Sequence, residues 1–271
     1  TGTPGANLLG SRTVAAVGGI ATFATLGVNR SGTAYTLSAR ASGLTGATSL
    51  PFDVVAGTVT QLVYTAQPVS STAGVTLPTV QVAAEDSLGN IVPGFSDAVS
   101  LAISTNPGGG TLAGTTTVTA VGGVATFATL SIDKSGVGYR LAAAAGSLSR
   151  TSSAFSITAG AATQLSFTVQ PGNTGAGGAI TPAVRVAGLD AFGNTATSFT
   201  GTVTIAIGTN PAAGALSGTT AGAAVSGVAV FSGPRLAKAR RGYPLSAPPA
   251  GRPAAPPPAH HVHPAPARGL A

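Results

Sequence analysis

The feature that most constrains this chain is a repeat. The segment "VGGIATFATL" beginning at Val17 returns as "VGGVATFATL" at Val121, a spacing of 104 residues. The same spacing carries Tyr35 to Tyr139, Leu37 to Leu141, Phe95 to Phe199, and "DSLGN" at Asp86 to "DAFGN" at Asp190. "AGTVTQL" at Ala56 and "AGAATQL" at Ala159 lie one residue closer, a slip that a loop absorbs. A tandem array builds every unit alike, so whatever one unit folds into, the others repeat. The period divides the chain into the second half of a unit (1–55), a whole unit (56–158), a third unit cut short (159–233) and a tail (234–271).

Within a unit the pattern has period two. Leu165, Phe167 and Val169 alternate with Gln164, Ser166, Thr168 and Gln170, and "VSLAI" at Val99 and "VTIAI" at Val203 alternate likewise. Alternation of this kind belongs to strands with one buried face. Clusters of Gly, Asn, Pro and Ser interrupt it every 8–12 residues or so, the spacing of a sandwich or barrel. About seven strands per hundred residues predict an all-β chain of tandem immunoglobulin-like Greek-key β-sandwiches. Composition agrees: Thr and Val abound while the strong helix formers are scarce. The chain has no Cys, which excludes disulfides, thiolate metal sites and thiol catalysis. Thr13 to Val28 is apolar but broken by Thr and Gly, and it is shorter than the roughly 20 residues a membrane-spanning helix needs. No leader is legible in "TGTPGANLLG", and with no Met present the sequence reads as a fragment.

The stretch "VQVAAEDSLGNIVPGFSDAVSLAI", followed by "TTVTAVGGVATFATLSIDKSGVGYRLAAAAGS", resembles bacterial Ig-like repeats of the Big-1 type found in invasin and intimin stalks. The motif positions are Asp86, Gly89, Asn90, Val92, Pro93, Gly94, Gly123, Ala125 and Thr126. The third unit keeps Asp190, Gly193 and Asn194 but has "TATS" in place of Val-Pro-Gly before Phe199. The resemblance covers residues 1–231. It implies extracellular stalk or adhesin modules on a bacterial surface, with no catalytic residues and no cofactor.

Several motifs invite chemistry. The two Asp-x-x-Gly-Asn segments suit a turn between strands, because Asp and Asn bond their own backbone and Gly accepts positive φ. Asp86, beside Glu85, and Asp190 are also calcium candidates, as carboxylates are hard oxygen ligands, though a calcium site usually gathers several. "SIDK" at Ser131 has the Ser-x-x-Lys spacing of penicillin-recognising enzymes. The first unit has Gly27 and Arg30 at the serine and lysine positions, and no companion motif is present. "GNTGAGGAITP" at Gly172 lies between two strands, where a phosphate-cradling loop would have to open a helix. Tyr35 and Tyr139 share one repeat position and read as core or corner tyrosines. Tyr64, replaced by Phe167 one unit on, reads as buried.

The tail differs in kind. The net charge of +7 belongs to it almost alone: residues 1–233 carry seven basic and six acidic side chains, and the other six basic residues lie beyond. A basic patch for nucleic acid is therefore not part of the repeats. His260, His261 and His263 are the only histidines. Gly242, Tyr243 and Leu245 still keep the spacing of 104 from Gly138, Tyr139 and Leu141, after which Pro, Ala and Arg take over. This predicts a disordered, Pro/Ala/Arg-rich tail. One reading is a shifted reading frame: CAC CAC GTT CAC for His-His-Val-His gives Thr-Thr-Phe-Thr one base later, close to the strand pattern "SSAFSIT" of the second unit. A true Pro-rich linker, a histidine metal site and a basic arm are the other readings.

Together these observations predict a non-enzymatic structural or adhesive array of a bacterial cell-surface or secreted protein. Its partner would be an unknown surface or matrix ligand, with no nucleic acid and no membrane span in this stretch. The alternative is a set of ancillary modules, glycan-binding or not, attached to a secreted enzyme.

Overall fold

The computed structural model describes residues 4–210, 213–237, 240–243, 245–247 and 260–263, and every helix or strand among them is a strand. In the second unit, Val80–Glu85 lies between Gln61–Ala66 and Val124–Phe127 in one antiparallel sheet. The facing sheet runs in the order Thr117–Thr119, Ala98–Thr105, Gly136–Ala145, Phe155–Thr158, Ser71–Thr72, with Leu148–Thr151 also paired to Gly136–Ala145. The chain thus begins in one sheet and crosses to the other, where Ser71–Thr72 pairs in parallel with Phe155–Thr158, the unit's last strand. This is the immunoglobulin-like sandwich that the alternation predicts.

The alternation becomes the core. Leu62 and Tyr64, Val80 and Val82, Val99 and Leu101, Ala125 and Phe127, Tyr139 and Leu141, and Phe155 and Ile157 are buried two residues apart along their strands. Burying one such large side chain contributes about 1.5–3 kcal/mol relative to leaving it exposed. Ala84, Ala120, Ala125, Ala143 and Ala145 are buried in the same core.

The first half-unit repeats only the second half of this pattern. Gly32–Tyr35 pairs with Phe52–Val54 and Ser38–Ala39 with Ala47–Thr48. Phe23 is 39% exposed where its counterpart Phe127 is 1% exposed, and a groove of about 860 Å³ runs past Leu8, Phe23, Leu26 and Leu37. In the second unit the equivalent face is covered by the first three strands of the sandwich.

The third unit continues past the boundary expected at Gly233. Arg235–Leu236 pairs with Leu216–Ser217, and Leu245–Ser246 pairs with Ala206–Ile207. Leu236, Leu245 and Ala247 are buried. The repeat spacing of Gly242, Tyr243 and Leu245 explains this: one-sided charge and proline in the surrounding sequence do not remove the apolar residues that a strand needs. His260–His263 pairs antiparallel with Arg240–Tyr243 and parallel with Thr174–Gly175. Those are the two neighbours that Phe155–Thr158 has in the second unit. The rest of the expected tail, residues 238, 239, 244, 248–259 and 264–271, lies outside the described residues.

Candidate functional site

The two Asp-x-x-Gly-Asn segments form tight loops directly after the strands Val80–Glu85 and Val184–Leu189, and each reaches into the unit before it. Locally the chain turns because Gly89 and Gly193 take φ of 78° and 79°, the left-handed region where a side chain would be strained. The Asp86 N–H donates to the Asn90 carbonyl at 2.9 Å and the Gly89 N–H to the Asp86 carbonyl at 3.1 Å. Asp86 and Asn90 are both buried, as are Asp190 and Asn194.

The carboxylate organises the loop from within. Asp86 Oδ1 accepts the N–H groups of Leu88 and Asn90, both at 2.9 Å. Its Oδ2 accepts the Asn90 Nδ2–H at 2.9 Å and the N–H of Gly57, also at 2.9 Å. Gly57 lies in the connection from the preceding unit, so the carboxylate ties that connection to the loop. Asp190 repeats each contact with Phe192, Asn194 and Gly160, at 2.9 Å throughout. Burial by itself pushes the Asp86 carboxyl up. The hydrogen bonds from the Asn90 side chain and from the N–H groups of Asn90, Gly57 and Leu88 outweigh it and hold the group far below the ordinary carboxylate range. The same balance holds Asp190 down.

The asparagine looks outward. Asn90 Oδ1 accepts the Ser31 N–H at 3.0 Å, and its Nδ2 donates to the Asn29 carbonyl at 3.1 Å. One unit later Asn194 Oδ1 accepts the Ser135 N–H at 3.0 Å and Nδ2 donates to the Asp133 carbonyl at 2.9 Å. The basic residue between those two positions returns the contact: Arg30 donates to the Gly89 carbonyl and Lys134 to the Phe192 carbonyl. At the second joint the Phe192 ring also lies against Gly74, which takes a φ of 75° and leaves room for the ring by having no Cβ.

The receiving loop is held from its own side as well. The Tyr139 hydroxyl donates to the Lys134 carbonyl at 2.9 Å, and the Tyr35 hydroxyl to the Arg30 carbonyl at 3.0 Å. These are tyrosine corners, with each ring packed on the last strand through Phe155 or Phe52 at centroid distances of 6.0 and 6.1 Å. Tyr64 is buried, its hydroxyl bonded to the Leu141 carbonyl at 3.1 Å, and burial pushes its pKa up.

The other motifs dissolve into the fold. Ser131 sits in the short strand Ser131–Ile132 paired with Leu112–Ala113, while Lys134 is engaged at the joint. The glycine-rich loop is closed on itself by Gly172 N–H to the Thr181 carbonyl and by Thr174 Oγ1 to the Ala179 carbonyl. Among the described residues no three His, Asp or Glu side chains come together in an arrangement for a metal ion, and no helix is long and apolar enough to cross a membrane. The sequence marked Asp86 and Asp190 and the glycines of the loops. It did not mark the reach of Asn90 and Asn194 into the neighbouring unit, or the parts of Arg30 and Lys134. The available signal was that a basic residue and Asp-x-x-Gly-Asn recur at the same spacing of 104.

The chain matches no protein-family model and no curated protein. Among solved structures it is similar to FdeC, an Escherichia coli adhesin, at 18% identity over 88% of this chain and 75% of that one, with a TM-score of 0.37. Domains 5–6 of the S-layer protein SbsC share 15% identity over 76% of this chain and 98% of that one, TM-score 0.29. The tandem Ig repeats of Dlar share 11% over 75% and 97%, TM-score 0.20.

Proposed function

We propose that this chain is a stretch of a non-catalytic array, structural or adhesive, displayed on a bacterial surface or secreted from it. Its work is to hold distance and orientation between whatever lies at its two ends. A surface or matrix ligand is the partner, and no cofactor takes part. The single observation that supports this best is the double occurrence of the joint: Asp86 and Asn90 make bonds that Asp190 and Asn194 repeat 104 residues on, with a basic residue at the matching position of each preceding unit reaching the loop. Repeated units in an array contact only their neighbours, so a repeated joint gives a repeated step. In this reading Asp86 and Asp190 are acceptors for N–H groups of the joint and not calcium ligands, because the donors around them are nitrogens that no cation replaces.

Small-angle scattering of the full chain tests the spacer role. A compact globule of this length has a radius of gyration of about 18 Å. A spacer array gives a clearly larger value and an asymmetric distance distribution. A value near the compact one would overturn the proposal.

A further inference from the structure

We infer that Asn90 and Asn194 are the positioning residues that set the angle between successive units, and that they do so by reading main chain alone. This deepens the spacer reading and rests on it. Each asparagine amide uses both of its ends on the preceding unit. Its oxygen takes one N–H, from Ser31 or Ser135, and its nitrogen gives to one carbonyl, that of Asn29 or Asp133. The pair of groups sits two residues apart on one loop, so the amide plane is fixed relative to that loop by two bonds of opposite sense. An amide can accept that N–H and still give one hydrogen to the carbonyl and one to its aspartate; a carboxylate has no hydrogen to give and a hydroxyl has only one.

The amide cannot swing because its own aspartate holds it. Asn90 Nδ2 lies 2.9 Å from Asp86 Oδ2 and 3.2 Å from Oδ1, and Asn194 has the same two distances to Asp190. The carboxylate thereby orients the amide and leaves the oxygen end to face the neighbour. On the other side, the tyrosine corner holds the receiving loop through the carbonyl of its central basic residue. A rigid donor–acceptor pair thus meets a rigid loop.

The loop residues that contribute these main-chain groups need not be the same. Asn29 and Asp133 occupy one position and differ, with only their carbonyls in use by the asparagine. The side chains at this position brace their own loop in the same way, Asn29 Oδ1 accepting the Asn7 N–H and Asp133 Oδ1 the Thr111 N–H, both at 2.6 Å, so the receiving loop is held alike at both joints.

The test is the inter-unit distance in the full chain. Because the protein has no Cys, Thr119→Cys and Ala223→Cys, both exposed, place one spin label on each of the second and third units. Pulsed electron resonance should show one narrow distance. Asn194→Ala and Asn194→Asp should each widen and shift it, while backbone NMR signals of Val184–Leu189 and Gly136–Ala145 stay in place. Asp keeps an acceptor for Ser135 but loses the donor and sets a second carboxylate beside Asp190. An unchanged narrow distance in both variants overturns the inference. So does loss of the third unit's core signals in both, since the asparagine would then be needed for folding and not for positioning. Neither result touches the spacer reading, which fails only if the unaltered chain is compact.

Discussion

The second and third units are built on one plan and closed by different sequences. In the second, Phe155–Thr158 completes the sandwich with Phe155 and Ile157 in the core, and Phe155 stands opposite Tyr139 across the strands. In the third, His260 stands opposite Tyr243 and Val262 opposite Arg240, in a register that includes the same irregularity. The seat for a closing strand is therefore defined by the strands already in place, which offer unpaired main chain on one edge. Side chains decide how much stability the strand brings to that seat. A sandwich missing its last strand presents an open edge that any extended segment can pair with.

This contrast can be broken at its core. Phe127 and Phe231 occupy equivalent, almost fully buried positions. Phe→Ala at such a site costs about 3–5 kcal/mol. By calorimetry, Phe127→Ala should lower the melting transition of the second unit, whereas Phe231→Ala should abolish that of the third, whose closing strand contributes less. Equal losses in the two units would mean that the closing strands are equivalent after all.

The contrast can also be narrowed. His260→Phe puts at this register position the residue type that Phe155 holds in the second unit, adding apolar area to the closing strand. The third unit should melt higher and the second should not change. If the tail is read in a shifted frame, resequencing the locus should return a closing segment of the "SSAFSIT" kind in its place. An unchanged frame together with tight zinc binding by the histidines would restore them as a site.

Acid should act on both units alike. The folded-state pKa values of Asp86 and Asp190 are depressed, so their contribution is fully present above the unfolded value of about 3.9 and disappears as pH falls through the folded value. Melting temperature should therefore drop as pH is lowered below about 4. Asp86→Asn should flatten that dependence in the second unit and leave the third as it was. Chelator should have no effect on melting at neutral pH, and a fall on chelation would return the aspartates to the calcium reading. The smallest effect belongs to Lys134→Ala and Arg30→Ala, whose hydrogen bonds are exposed. Changes of this sort stay within about 0.5 kcal/mol.

Much of this is legible in the sequence. The period of 104 and the alternation predict units, strands and buried faces. The tyrosine position, two residues before a leucine at the same repeat spacing, predicts a core or corner ring, and the hydroxyl bonds to the Arg30 and Lys134 carbonyls make it a corner. The reach of Asn90 was hidden because its partner Ser31 lies 59 residues away in another unit, and local pattern carries no information across that gap. The strands beyond Gly233 are hard to read for a different reason: the Pro, Ala and Arg around them hide Gly242, Tyr243 and Leu245, three residues that keep the spacing of 104.

The account stands on the claim that one asparagine amide per unit joins it to its predecessor. Hydrogen exchange at the amides of Ser31 and Ser135, followed by NMR in the full chain, tests this most directly. Both amides should be protected. Asn90→Ala should release Ser31 alone and Asn194→Ala should release Ser135 alone, with the strands Gly136–Ala145 and Val80–Glu85 unaffected. Fast exchange at both amides in the unaltered chain, or protection that survives both substitutions, would contradict it.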